Sequence, residues 1–121
     1  MATKINIKAT NISLTPSISE YIAKKIETLD KFFGEKEALV NVEVGRTTKH
    51  HKSGDIFKAE IHISAAGQDY YAVSETEDLY AAIDEVKNEM ARELSSKIKK
   101  AAKLLKRGRA KIKNWLKGSE D

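Results

Sequence analysis

Between Ser95 and Gly118 the chain carries ten lysines and arginines and not one carboxylate. The chemistry open to such a stretch is electrostatic. It can neutralise a polyanion and hold it through phosphate contacts as counterions are released, with no bond made or broken. The rest of the chain has no such bias. Residues 1–75 hold ten basic and ten acidic side chains, while residues 76–121 hold twelve basic and eight acidic ones. Those eight acids cluster at the two ends of their segment, so the net charge of +4 understates how one-sided the distribution is. A charge run is commonly a solvated face. Ten cations without a compensating acid point beyond that, to a polyanionic partner.

The other chemistry-bearing residues do not converge. There is no glycine-rich phosphate loop, no nucleophile elbow and no paired-carboxylate pattern. Asp84 and Glu85 are adjacent on a predicted helix, so their side chains diverge instead of sharing a substrate. The expectation is a protein that is not an enzyme, with no cofactor and no small-molecule substrate. His50 and His51 are neighbours in a predicted loop and His62 is on the polar side of a predicted strand. With no cysteine and no helical histidine spacing, they read as solvated side chains and no metal site is expected. The lack of cysteine also excludes disulfides. Trp115 and Leu116 sit among lysines as in a membrane-surface anchor, but the stretch is short. Packing on the domain, a loose tail or stacking on a nucleobase is the preferred reading. No apolar run approaches the ~18 residues that cross a bilayer, and Met1-Ala2-Thr3-Lys4-Ile5 has no signal-peptide core. A soluble, cytoplasmic protein with no membrane partner is expected.

The elements that must position the cations follow from periodicity. At 121 residues the chain is one domain of ordinary size. Lys4 to Ala9 alternates as a half-buried strand, after which Ile12 and Leu14 anchor the connection to the core. Thr15-Pro16 starts a helix whose stripe is Ile18, Ile22, Ile26, Leu29 and Phe33, ending at Gly34. Leu39 to Arg46 and Ile56 to Ala65 are strands, separated by the polar loop Thr47 to Asp55. Ala66-Gly67-Gln68 turns into a fourth strand, Tyr70 to Ser74, for which Tyr70/Ala72 and Tyr71/Val73 are both plausible inward sets. Ser74-Glu75-Thr76-Glu77 has the spacing of a capping box. A long helix then runs from Thr76 to about Arg107, where Gly108 should break it. Its stripe is Leu79, Ile83, Val86, Met90, Leu94, Ile98, Ala101 and Leu105.

The order strand, helix, three strands, helix predicts an α+β, β-α-β-β-β-α fold. Its four-stranded mixed sheet has the first two strands parallel and the rest an antiparallel meander, with two helices on one face. A last helix on the order of 45 Å outruns such a sheet, so its distal turns should project. The division expected is a binding domain at 1–105 and a basic C-terminal tail at 106–121. At 100° per residue, Arg92, Lys99, Lys103 and Lys106 fall within roughly 60° of one another, nearly opposite the stripe. Together with Arg107, and with Lys24 and Lys25 if the two helices lie side by side, they form a cationic surface. Lysines every half to full turn are ~5–10 Å apart, comparable to successive phosphates. No aromatic RNA-binding strand motif is present, so recognition of nucleic acid by shape and phosphates is expected.

Two stretches carry a family resemblance. Asn11-Ile12-x-Leu14-Thr15-Pro16-Ser17-Ile18, followed by Tyr21-Ile22-x-Lys24-Lys25-Ile26-x-x-Leu29-Asp30-Lys31-Phe32-Phe33, resembles the opening of the bacterial ribosome hibernation-promoting factor/ribosome-associated inhibitor A (sigma-54 modulation protein) family. Asp78-Leu79-Tyr80-Ala81-Ala82-Ile83-Asp84, then Arg92-Glu93-Leu94, resembles its second signature. The resemblance implies a fold similar to double-stranded-RNA-binding domains. It also implies binding to the small ribosomal subunit and its 16S-type rRNA in the decoding region. There the family covers the A and P sites and the mRNA channel, and silences idle ribosomes under stress or in stationary phase. By this resemblance the rRNA-binding positions are Lys24, Lys25, Arg92, Lys97, Lys99 and Lys100, to which the distal row adds Lys103, Lys106 and Arg107. Glu89 stands where the family commonly has a basic residue, Ser96 falls in its lysine-rich segment, and Lys87 replaces an apolar one. These departures shift the expected footprint toward the distal turns. A ribosome-associated protein, monomeric off the ribosome, is expected. A free double-stranded-RNA binder is the alternative, although such domains carry lysines at the start of their last helix, where this chain has Glu75, Glu77 and Asp78. An oligomerisation module using the open sheet face and Trp115 is the structural alternative.

Overall fold

Strict alternation makes β1 (Thr3–Thr10) a strand with Ile5, Ile7 and Ala9 turned to the core. The computed structural model describes residues 3–47 and 54–119, the last eleven of these by backbone alone. Ile12 packs on the core after β1, but Leu14 is exposed. Thr15 caps α1 (Pro16–Glu27): its hydroxyl accepts from Ile18 N at 3.2 Å, and Pro16 supplies the fixed φ of a first helical turn. The helix ends at Glu27, short of the expected Gly34. Thr28 Oγ1 donates to the Lys25 carbonyl at 2.6 Å, and the chain tightens into a 3₁₀ turn at Asp30–Phe32 before Gly34, at φ 60°, reverses it. Leu29 and Phe33 stay buried, so the stripe outlasts the helix.

β2 (Ala38–Thr47), β3 (Ile56–Ala65) and β4 (Gln68–Thr76) complete a sheet in the order β1-β2-β3-β4. β1 runs parallel to β2, and the other two pairings are antiparallel. This is the mixed sheet expected of a strand–helix–strand crossover followed by a meander. Gly45 lies so close to Thr10 that a Cβ there would sit 2.5 Å from its carbonyl oxygen, which keeps that position glycine. Ala66 and Gly67, both at positive φ, form the two-residue turn between β3 and β4. The register of β4 turns Tyr70 and Ala72 inward and leaves Tyr71 and Val73 exposed.

α2 (Leu79–Ser119) is longer than expected at its far end and starts later. Ser74 does not cap it. Pairing with β3 carries β4 on to Thr76, and Asp78 takes the cap instead, its Oδ2 accepting from Ala81 N at 2.9 Å. Gly108 does not end it either. A glycine costs about 1 kcal/mol in a helix interior, too little to break a run of Ala, Leu, Lys and Arg, so the boundary proposed at 106 falls inside a continuous helix. Leu79, Ile83, Val86, Met90 and Leu94 join the stripe of α1 and the inward residues of all four strands in one core, which places both helices on one face of the sheet. The burial then stops: Leu94 is 0% exposed and Ile98 is 40% exposed. The remaining turns project for roughly 30 Å at 1.5 Å per residue.

Candidate nucleic-acid interface

Three of the nine cations named on sequence grounds are held by the chain itself. Lys25 reaches from α1 to α2, with Nζ 3.1 Å from Asp84 Oδ1 and 5.2 Å from the centre of the Tyr21 ring. Tyr21 Oη donates to the same Asp84 oxygen at 2.6 Å, and Tyr80 packs edge-on against Tyr21 at 4.8 Å. Asp84 is thus the hub of a clamp between the helices. The hydrogen bond from Tyr21, and then that from Lys25, holds its carboxyl below the usual carboxylate range against an opposing effect of burial. The same carboxylate raises the Lys25 ammonium.

The sign of the linkage follows. A carboxylate with a lowered folded-state pKa contributes stability above its unfolded pKa and loses it as pH falls through the folded value. Asp84→Asn keeps the shape and removes the charge. The variant is expected to be less stable than the parent at neutral pH, with the gap closing in acid below ~pH 4 as the parent protonates. Urea denaturation at the two pH values checks this; a gap unchanged by acid would show that the charge of Asp84 contributes nothing.

Further along α2, Arg92 Nη1 lies 2.6 Å from Glu89 Oε1 one turn back. Lys97 folds toward the sheet: its Nζ is 3.2 Å from Glu93 Oε1, donates to the Asp69 carbonyl at 3.1 Å and lies 5.0 Å from the centre of the Tyr70 ring. Lys97 is therefore the last grip of the sheet on the helix. A signal for this exists in the sequence, since Lys97 is eighteen residues from Leu79, five full turns at about 100° each, and so lies on the buried side. Lys24, Lys99, Lys100, Lys103, Lys106 and Arg107 are exposed, and none has an ion-pair partner among the described residues. The helices meet at Asp84, so Lys25 contacts α2 fifteen residues before Lys99, about 22 Å along the axis. The cations of α1 and the distal row are thus brought onto one side of the sheet but not into contact.

The result is a projecting helix on which Arg92 and Lys97 are already engaged and the distal cations are open. Like-charged neighbours Lys99, Lys103, Lys106 and Arg107 at three- and four-residue steps repel one another, and a polyanion laid along them relieves that repulsion. His62 Nε2 stands 3.3 Å from Asp69 on the open sheet face. His50 and His51 lie outside the described residues, as do the side chains of Trp115 and Leu116. No helix among the described residues is long and apolar enough to cross a membrane.

The family model described as sigma 54 modulation protein / S30EA ribosomal protein matches residues 5–111, from β1 through the whole sheet to the distal row. The chain belongs to that family. Among S30EA-type relatives, a ribosome hibernation promotion factor of Picosynechococcus is 34% identical over 91 residues, 75% of this chain and 47% of that protein. A ribosome hibernation promoting factor of Klebsiella oxytoca is 28% identical over 93 residues, 76% of this chain and 90% of that protein. The chain thus spans nearly all of the shorter relative and about half of the longer one. The solved N-terminal domain of Thermus thermophilus Protein Y superposes with a TM-score of 0.65 at 26% identity, covering 78% of this chain and 96% of that one. A ribosomal subunit interface protein from Coxiella burnetii has the same fold, with a TM-score of 0.61 at 15% identity, 77% of this chain and 94% of that one. Glu89 and Glu93 are not among the site residues named on sequence grounds, yet they shape the interface, because Glu89 ties down Arg92 and Glu93 ties down Lys97. Their three- and four-residue spacing to Arg92 and Lys97 is itself a readable signal.

Proposed function

We propose that this chain is a ribosome hibernation factor. It seats on the small subunit in the decoding region, over the A and P sites and the mRNA channel, and excludes tRNA and mRNA by occupying their place. The observation that carries the proposal is the open row Lys99, Lys103 and Lys106 on a helix anchored through Leu94 and Lys97 to a sheet. Membership of the S30EA family and the names of its relatives support the ribosome as the polyanion. Exclusion is competitive and needs no chemistry. The footprint lies on the distal turns because Arg92, Lys97 and Lys25 are already engaged. Lys100 and Arg107 widen it, and Lys24 supplies a separate contact from α1. The protein acts as a monomer in the cytoplasm.

Cosedimentation with purified small subunits tests this. Retention at low salt, release as salt rises and competition by initiator tRNA with a short mRNA are expected. Equal affinity for bare duplex RNA and for subunits would replace the reading with that of a free double-stranded-RNA binder. That rival is disfavoured by Glu77 and Asp78 at the start of α2, which repel phosphate where such a binder needs cations.

A further inference from the structure

Past Leu94 the apolar stripe of α2 loses the sheet but does not stop. Ile98 is 40% exposed, Leu104 65% and Leu105 63%, with Ala101 also exposed between them. From Leu94 the sequence sets Ile98, Ala101, Leu105, Gly108, Ile112 and Trp115 at alternating steps of four and three residues. That is the 3.5-residue repeat of a coiled-coil seam, narrower than the stripe that covers a sheet. The seam lies on the side of the rod away from Lys99, Lys103 and Lys106, so RNA bound along the row leaves it open.

We propose that the projecting part of α2, centred on Ile98, Ala101 and Leu105, docks an acidic amphipathic helix of another protein. Such a helix presents apolar residues at 3.5-residue spacing with glutamate or aspartate beside them. Charge selects this occupant. The segment from Ser95 to Gly118 has ten cations and no acid, so an acidic helix laid along it reduces the repulsion along the rod. A second copy of the chain would set ten cations against ten. A bilayer gains little from Ala101 and Gly108, since binding there scales with buried apolar area. Small residues at alternate seam positions instead let a partner helix approach closely. Lys99, Lys103 and Lys106 would also point away from a membrane on which this seam lay.

The test uses the full chain and a labelled synthetic peptide of about three heptads, with leucine and isoleucine at the core positions and glutamate at the flanking ones. A control peptide keeps the glutamates and has serine at the core positions. Fluorescence anisotropy is expected to show one-to-one binding of the first peptide. Affinity should fall at least about tenfold both for the control and for the Ile98→Ser/Leu105→Ser double variant. Pelleting of that variant with small subunits should be unchanged, which separates a failure of this inference from a failure of the ribosome reading. Equal binding of both peptides, or undiminished binding by the double variant, would overturn the seam as a docking site. So would uptake onto phosphatidylglycerol vesicles with no peptide binding, or a stable dimer in sedimentation equilibrium without peptide.

Discussion

Replacing Lys99, Lys103 and Lys106 with glutamate is expected to lower affinity for the small subunit by about two to three orders of magnitude at ~0.1 M salt. These side chains share the outward face of the projecting helix and have no ion-pair partner among the described residues. If each neutralises one phosphate, its loss removes roughly one unit from the slope of log affinity against log salt, so the triple variant flattens that slope by about two to three. Folding should not suffer. Exposed substitutions of this kind change stability by about 0.5 kcal/mol or less, and a glutamate at position 103 gains Lys100 and Arg107 as attractive neighbours three and four residues away. Pelleting across a salt series, with thermal unfolding beside it, measures both. Undiminished retention of a folded triple variant contradicts the assignment of the row.

The second large effect concerns the anchor. Leu94 is 0% exposed and is the last fully buried residue before the helix leaves the sheet. Leu94→Ala is expected to cost about 2–5 kcal/mol, the lost burial plus the cavity left beside β3 and β4. Leu105→Ala, at a position 63% exposed, should change stability by no more than about 0.5 kcal/mol. The two substitutions are chemically identical and eleven residues apart on one helix, so the contrast isolates where the sheet ends. Urea denaturation of both variants reads it. Comparable losses would mean that the distal turns are packed.

The fold was legible because apolar periodicity changes cleanly between two and three-to-four along the chain, and because the stripes of α1 and of α2 as far as Leu94 have the sheet as their partner. The register of β4 was not, since Tyr70/Ala72 and Tyr71/Val73 are alike in character; pairing with β3 decides between them. The start of α2 differs from the capping-box expectation because Ser74-x-x-Glu77 satisfies a local rule that the pairing of Thr76 with Phe57 overrides. Gly108 shows the same override, since the strong helix formers around it carry α2 past one unfavourable residue. For the candidate interface, the outward row follows from helical geometry alone. The engagement of Lys25 by Asp84 does not, because those residues are 59 positions apart and meet only when both helices lie on the sheet. The engagement of Arg92 and Lys97 was readable from the acids one turn before each.

A density map of the chain bound to the small ribosomal subunit tests the central claim most directly. The expected map places the outward face of α2, from Lys99 through Lys106, along rRNA phosphates in the path of mRNA and tRNA, with Lys25 still on Asp84 and Arg92 on Glu89. A map in which that face is turned to solvent while Tyr71 and His62 on the open sheet face make the contact would contradict it.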